Sequence, residues 1–235
     1  MASFVKTIGT NWGAALRDKN FRLPLLTGAG VMVVLLLMLP PFYAHIEKRE
    51  GVVLNDWLLS FIGPCNVSVP IFILLWVGAL LCFFRALVTP RIFLNYLLGY
   101  ACFIIVRSIC LVLVPLNPPI GLIELKDPLT NVFYGGSFIT KDLFFSGHTA
   151  TMVIMVLSLE KKLDKLYCKG AAFCVATLLL VQHVHYTIDV VAAPFFALFC
   201  YHAAQKWLKA YGAVIAQGKL PLAFLRKASK NGISE

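Results

Sequence analysis

The segment Leu143-Phe144-Phe145-Ser146-Gly147-His148-Thr149 leads into an apolar run that ends at Leu159, and His185-Tyr186-Thr187-Ile188-Asp189 stands between two further apolar runs. Two histidines and one carboxylate thus sit at the ends of segments long enough to lie in a bilayer. Ionisable groups in such places default to function, because burying them in lipid is expensive.

Working outward, the apolar runs read as six spans, over Leu23–Ala44, Val67–Val88, Ile92–Val114, Leu143–Leu159, Gly170–His185 and Ile188–Lys206. The fourth and fifth are short against the ~20 residues a crossing helix needs. Short spans that begin or end in polar residues predict a site set into the membrane rim. The chain is 60% hydrophobic and 14% charged, where a soluble domain is about a quarter charged. The predicted fold class is therefore all-α, a polytopic membrane protein built as a bundle of six transmembrane helices. Residues 1–235 are expected to form a single membrane domain. It divides into a cytoplasmic N-terminal segment (1–22), a six-helix catalytic core (23–206) and a basic cytoplasmic tail (207–235). The first twenty-two residues hold no apolar signal-peptide core.

The formal net charge is +10. No basic patch is interleaved with aromatics as nucleic-acid binding requires, so nucleic acid is excluded as a partner. The basic residues instead flank the spans. With the N-terminus inside, inner segments hold sixteen of the 21 lysines and arginines and outer segments four, and Arg107 lies within the third span. Such a bias sets orientation and puts both termini in the cytoplasm. His148, His185 and Asp189 then meet at the outer face. The seven cysteines contain no C-x-x-C pair, which leaves no zinc or redox signature. The outer segment Pro115–Asp142 is rich in proline and glycine and reads as a binding loop. The other outer segment, His45–Asn66, carries Asp56-Trp57-Leu58-Leu59-Ser60-Phe61 and reads as an interfacial helix.

His185 and Asp189 are four apart, which on a helix places them on one face. The carboxylate can fix the imidazole tautomer and leave the other ring nitrogen as base or nucleophile; an ordinary polar cap is the plainer reading. Ser146 is placed to cap the fourth span. Gly147 permits close backbone approach, and the free N–H groups of that helix start suit a phosphate. Arg107 is costly within a span unless it faces a polar cavity, where it could bind a phosphate or carboxylate; the other reading is snorkelling to the interface. His183 and His185 are two apart and share no helix face, so no metal is assigned.

Phe145-Ser146-Gly147-His148-Thr149 with Asp142 before it, and His183-Val184-His185-Tyr186-Thr187-Ile188-Asp189-Val190, resemble the two signature motifs of the sphingomyelin synthases. These belong to the wider type-2 phosphatidic acid phosphatase superfamily. The resemblance covers roughly the last two-thirds of the chain. It implies that His148, His185 and Asp189 form the catalytic triad. Arg107, Asp142, Ser146, Gly147, Thr149 and Tyr186 are then the expected substrate-binding residues. Departures are Thr140-Lys141, where the family usually has Cys-Gly, and leucines at 178 and 179, where the superfamily's soluble-substrate phosphatases carry Ser-Arg.

What this implies is transfer of a phosphocholine or phosphoethanolamine headgroup from a glycerophospholipid to ceramide, through a phosphohistidine and without a cofactor. The expected partners are membrane lipids, a glycerophospholipid donor and a ceramide or diacylglycerol-like acceptor, with a homo-oligomer left open. The expected membrane is Golgi or plasma membrane in a eukaryote and inner membrane in a bacterium. A hydrolase using water as acceptor and a non-enzymatic channel or transporter are the alternatives.

Overall fold

The structure, a computed structural model, describes residues 2–125 and 139–216. Pro128, Gly135 and Gly136 of the expected outer loop, and the tail beyond 216, lie outside the described residues. The elements are α1 (Ala2–Arg17), α2 (Lys19–Lys48), a 3₁₀ turn (Leu59–Phe61), α3 (Ser68–Val88), α4 (Pro90–Leu113), α5 (Gly147–Ser158), α6 (Lys162–Val181) and α7 (Thr187–Ala216). No strand occurs among the described residues, only a single bridge between Val52 and Leu116.

Local chemistry explains the helix ends. Asp18 caps α2 by accepting from the Asn20 N–H at 2.9 Å, satisfying an orphan donor of the first turn. Thr89 alone separates α3 from α4. Pro90 is the first residue of α4, where its missing N–H costs nothing and its fixed φ suits a helix start.

Four helices, α2, α3, α4 and α7, are long and apolar enough to cross a membrane by length and composition. With its 60% hydrophobic composition, this makes the chain an integral membrane protein. The expected count of six is not matched exactly by these four. Each expected span is a helix, but α5 has only 12 residues, about 18 Å of helix. The other exception, α6, begins at Lys162 and carries Asp164, Lys165 and Lys169 in its first half. The last helix runs ten residues past the expected end at Lys206, into what was read as tail. The interfacial helix at 56–61 is also corrected, to the three-residue 3₁₀ turn; the Asp56 carboxylate accepts from the Leu58 and Leu59 N–H groups there. Trp57 and Phe61 nevertheless stand out, at 74% and 72% exposed, as side chains do at a headgroup layer.

The short helix α5 is central. It packs on α6, α7 and α4, and Ala150, Met152 and Ile154 are fully buried. Around it, α7 approaches α4 and α5 through small residues, Ala193, Ala197 and Cys200, which pack with Phe103, Ile104 and Phe145. Small residues let helices close up where lipid offers no hydrophobic drive. Phe145 is the pillar of this cluster, stacked on Phe196 at 4.3 Å between ring centroids and edge-on to Phe103. At the opposite end of the bundle, α1 is fastened to the end of α3. The Trp12 indole N–H donates to Leu87 O at 3.0 Å and the Asn11 amide to Val88 O at 2.8 Å. An ion pair of Arg85 with Asp164 ties α3 to α6.

Candidate active site

The site is built on the start of α5. The Ser146 hydroxyl caps the helix, accepting from Thr149 N and donating to Thr149 Oγ1 at 3.1 Å. Both side chains are buried. The cap reading of Ser146 therefore holds, and Thr149 is spent on the same device. The Ser146 N–H donates to the carbonyl of Asp189 at 3.0 Å, which joins the two sequence motifs directly.

Gly147 lies flat against the guanidinium of Arg107. A Cβ there would stand 3.2 Å from Arg107 Cζ and 3.3 Å from both Nε and Nη2. Close approach, rather than a special φ, is what glycine supplies here. Arg107 is 4% exposed, so it does not snorkel. Its Nη2 donates to Asp142 Oδ1 at 2.8 Å and to Asp142 O at 3.1 Å, and the guanidinium lies over the Phe145 ring. Its Nη1 is buried and makes no hydrogen bond among the described residues, although the Tyr43 hydroxyl stands close enough to act on the guanidinium.

Arg107, Asp142, Gly147 and His148 share the wall of a cavity of about 370 Å³. His148 is half-buried there, edge-on to Phe72. The remaining walls come from α2 (Leu36, Leu39, Tyr43), α3 and the lower turns of α4 and α5. Leu36 and Trp76, 42% and 41% exposed, flank the cavity on α2 and α3, two helices that scarcely touch each other.

His185 and Asp189 stand outside these walls, 2% and 0% exposed. The His185 Nδ1 is 3.3 Å from Asp189 Oδ2, so the expected pair forms. The geometry behind it differs from a shared helix face, because α7 begins at Thr187 and His185 precedes it. Asp189 Oδ2 also accepts from Tyr186 N at 3.0 Å. This is the return half of a capping box, in which a side chain of the first turn reaches back to the cap residue's N–H. The cap reading and the orienting reading are thus met by one oxygen. The other, Oδ1, is buried without a partner among the described residues.

Tyr186 is turned away from the cavity. Its hydroxyl donates to Asn117 O at 2.9 Å and accepts from Leu54 N, linking the segment after α2 to the segment after α4. His183 holds φ +54°, and its ring nitrogens face Ile120 O at 2.8 Å and Ile62 O at 2.7 Å. Among the described residues no cluster suits a metal ion.

Sequence reasoning missed the residues that hold this turn. Gln182 accepts from Val67 N and donates to Ser68 Oγ and Glu124 O. Asp56 caps α7 from another loop, accepting from Thr187 N at 2.6 Å and Thr187 Oγ1 at 2.9 Å. Partial burial pushes the Asp56 carboxyl up, but the hydrogen bonds from Thr187, Leu59 and Leu58 outweigh this and hold it below its ordinary value. A folded value below the unfolded one means that its stabilisation is complete above the ordinary carboxylate value of 3.8. That contribution is lost as pH falls through the folded value. Asp56→Ala is expected to cost about 1 kcal/mol at neutral pH, the usual worth of a cap, with the gap to wild type narrowing in acid. Thermal unfolding in detergent at pH 7 and pH 3 measures both.

Residues 141–206 match the family model described as PAP2 superfamily C-terminal. The match supports the type-2 phosphatidic acid phosphatase superfamily, and with it an enzyme of the lipid phosphatase or phosphotransferase type. It spans Asp142, the α5 start with His148, and the His185–Asp189 pair, and leaves out Arg107. No curated protein and no solved structure matches the chain.

Proposed function

We propose that the protein transfers a phosphocholine or phosphoethanolamine headgroup from a glycerophospholipid to ceramide at the outer face of its membrane. The observation that carries this reading is the Arg107 guanidinium. It is buried against Gly147, with Nη2 on Asp142 and Nη1 without a hydrogen bond among the described residues, on a cavity that Tyr43 and His148 also line. A buried cation with a spare donor beside a helix start suits a phosphoryl group. The walls given by α2 and α3 suit a lipid that keeps its chains in the bilayer. At about 370 Å³ the cavity is at the lower end of ligand pockets, sized for a headgroup rather than for acyl chains.

In this reading Asp189 holds His185 by Nδ1, which leaves the Nε2 lone pair to attack phosphorus. The bond from phosphorus to the diacylglycerol oxygen breaks, and His148 gives that oxygen its proton. The ceramide hydroxyl then loses its proton to His148 and attacks phosphorus. The phosphorus–nitrogen bond breaks and His185 is restored. Arg107 and the N–H groups of the α5 start stabilise the equatorial oxygens throughout. Water in place of ceramide gives the hydrolase of the same superfamily, and the family match spans both. Purified protein given labelled phosphatidylcholine with and without ceramide tests the proposal. Label appearing in a ceramide product supports transfer. Label released to water in both cases supports hydrolysis, and no turnover of either kind sinks the reading.

Arg107→Lys keeps the charge but removes the planar fork that serves Asp142 and the phosphate together. The expected loss in kcat/KM is about 10- to 100-fold. Activity near wild type would remove Arg107 from the phosphate site.

The outer-face placement rests on the sixteen-to-four bias of lysines and arginines counted over the six expected spans. Cys65 is exposed in the loop before α3. With the other six cysteines replaced, an impermeant thiol reagent is expected to label it from the non-cytoplasmic side of sealed vesicles. Labelling only after the cytoplasmic side is opened would invert the topology.

A further inference from the structure

The last turn of α2 carries Glu47, a carboxylate at the helix end where the macrodipole favours cations. Its partners lie across the fold. Oε2 accepts from Thr140 N at 3.0 Å and Lys141 N at 3.1 Å, and Oε1 accepts from Thr140 Oγ1. Two residues on, the Arg49 guanidinium takes the free carbonyls at the end of α4, Leu111 O at 2.6 Å and Val112 O at 2.9 Å. The Lys141 ammonium donates to Arg49 O. Residues 47–49 thus grip segment 140–141 on one side and the last turn of α4 on the other. Asp142 follows the first gripped segment, and Arg107 lies one turn before the second.

We propose that Glu47 is the positioning residue of the anion site. It fixes the main chain ahead of Asp142, so that Asp142 occupies only Nη2 of Arg107 and leaves Nη1 for a phosphoryl oxygen. Without the grip, segment 140–142 is free to shift along the guanidinium, and Asp142 competes with the ligand for both nitrogens. The inference deepens the proposed phosphoryl site and rests on that reading. It involves no contact between Glu47 and substrate, because Glu47 spends its oxygens on the chain.

Inorganic phosphate is the probe, read by the concentration dependence of its stabilisation of the detergent-purified full chain against heat. Wild type, Glu47→Gln, Asp142→Asn and the double variant are compared, each also in phosphate-free buffer. If Glu47 acts through Asp142, Glu47→Gln weakens phosphate about tenfold and adds nothing in the Asp142→Asn background, since coupled residues are non-additive. The donor lipid should follow, with KM raised and kcat changed less. Additive losses overturn the proposal. So does a Glu47→Gln variant that melts lower in phosphate-free buffer yet binds phosphate as wild type does, which is a structural role only. If Glu47→Gln does not fold, Thr140→Val, which removes one hydrogen bond to the same carboxylate, takes its place in the cycle with the same two outcomes. A wild type that phosphate does not stabilise overturns the anion site and this inference with it. Phosphate binding without lipid turnover sinks the headgroup-transfer reading alone and leaves the cycle to decide on Glu47.

Discussion

Asp189→Asn is expected to slow headgroup transfer by about 10⁴-fold with the fold intact, the scale found when the orienting aspartate of a triad is neutralised. The fold survives because an asparagine oxygen can still accept from Tyr186 N, the contact that closes the start of α7. The Ser146 N–H to Asp189 O bond involves only main chain. What is lost is the negative charge beside Nδ1 of His185, because the oxygen that stays on Tyr186 N is the one that faces Nδ1. A neutral amide oxygen there no longer stabilises the positive charge that builds on the ring as it attacks phosphorus. The surroundings sharpen the effect, because both groups are buried, where charge interactions are screened less than in water. Transfer rates with labelled phosphatidylcholine measure the loss, and circular dichroism with thermal unfolding checks the fold. A loss under tenfold would return Asp189 to the role of a helix cap.

The helices were legible because apolar runs are local. Every expected span has its helix, and the Ser146 cap was readable from its place before the run. The span count is not exact at α5, which is short: it is wrapped by α4, α6 and α7, so its neighbours shield it from lipid. It is not exact at α6 because the helix begins eight residues before the expected span, at Lys162, and takes in Asp164, Lys165 and Lys169. Asp189 was placed correctly beside His185, although by a turn rather than by the helical spacing that suggested it. The supports of the site were illegible because none is local. Glu47 acts on a segment more than ninety residues away, and Asp56 caps a helix that begins at Thr187. A lone acid gives no sequence signal for which distant N–H groups it will meet. Tyr186 was read with the substrate contacts because it lies inside the motif. Yet its hydroxyl ends on Asn117 and Leu54, and alternation along a turn sends neighbours in opposite directions.

Removing His185 and removing His148 are expected to differ in kind. His185→Ala should abolish turnover on every donor, because no phosphorus–nitrogen bond can form. His148→Ala removes a proton donor and acceptor, typically worth ~10²–10⁴ in rate, so its cost should depend on the leaving group. Diacylglycerol leaves as a poor alkoxide unless protonated; p-nitrophenolate leaves without help. With p-nitrophenyl phosphocholine, His148→Ala should therefore release p-nitrophenol in a single burst. It should then hold the phosphocholine on His185, because no base remains to activate the acceptor. Acid-labile label on the peptide that contains His185 reads this directly, and the same peptide from His185→Ala should carry none. The structure gives the experiment its edge. His148 is the histidine on the cavity wall, whereas His185 is 2% exposed and is not among the wall residues, so the labelled peptide decides which ring is the nucleophile. Label retained in His185→Ala and absent from His148→Ala would exchange the two roles and make the cavity-facing ring the nucleophile. Absence of label from wild type and both variants, with turnover intact in wild type, would mean direct in-line transfer from donor to acceptor, with both histidines acting as acid and base.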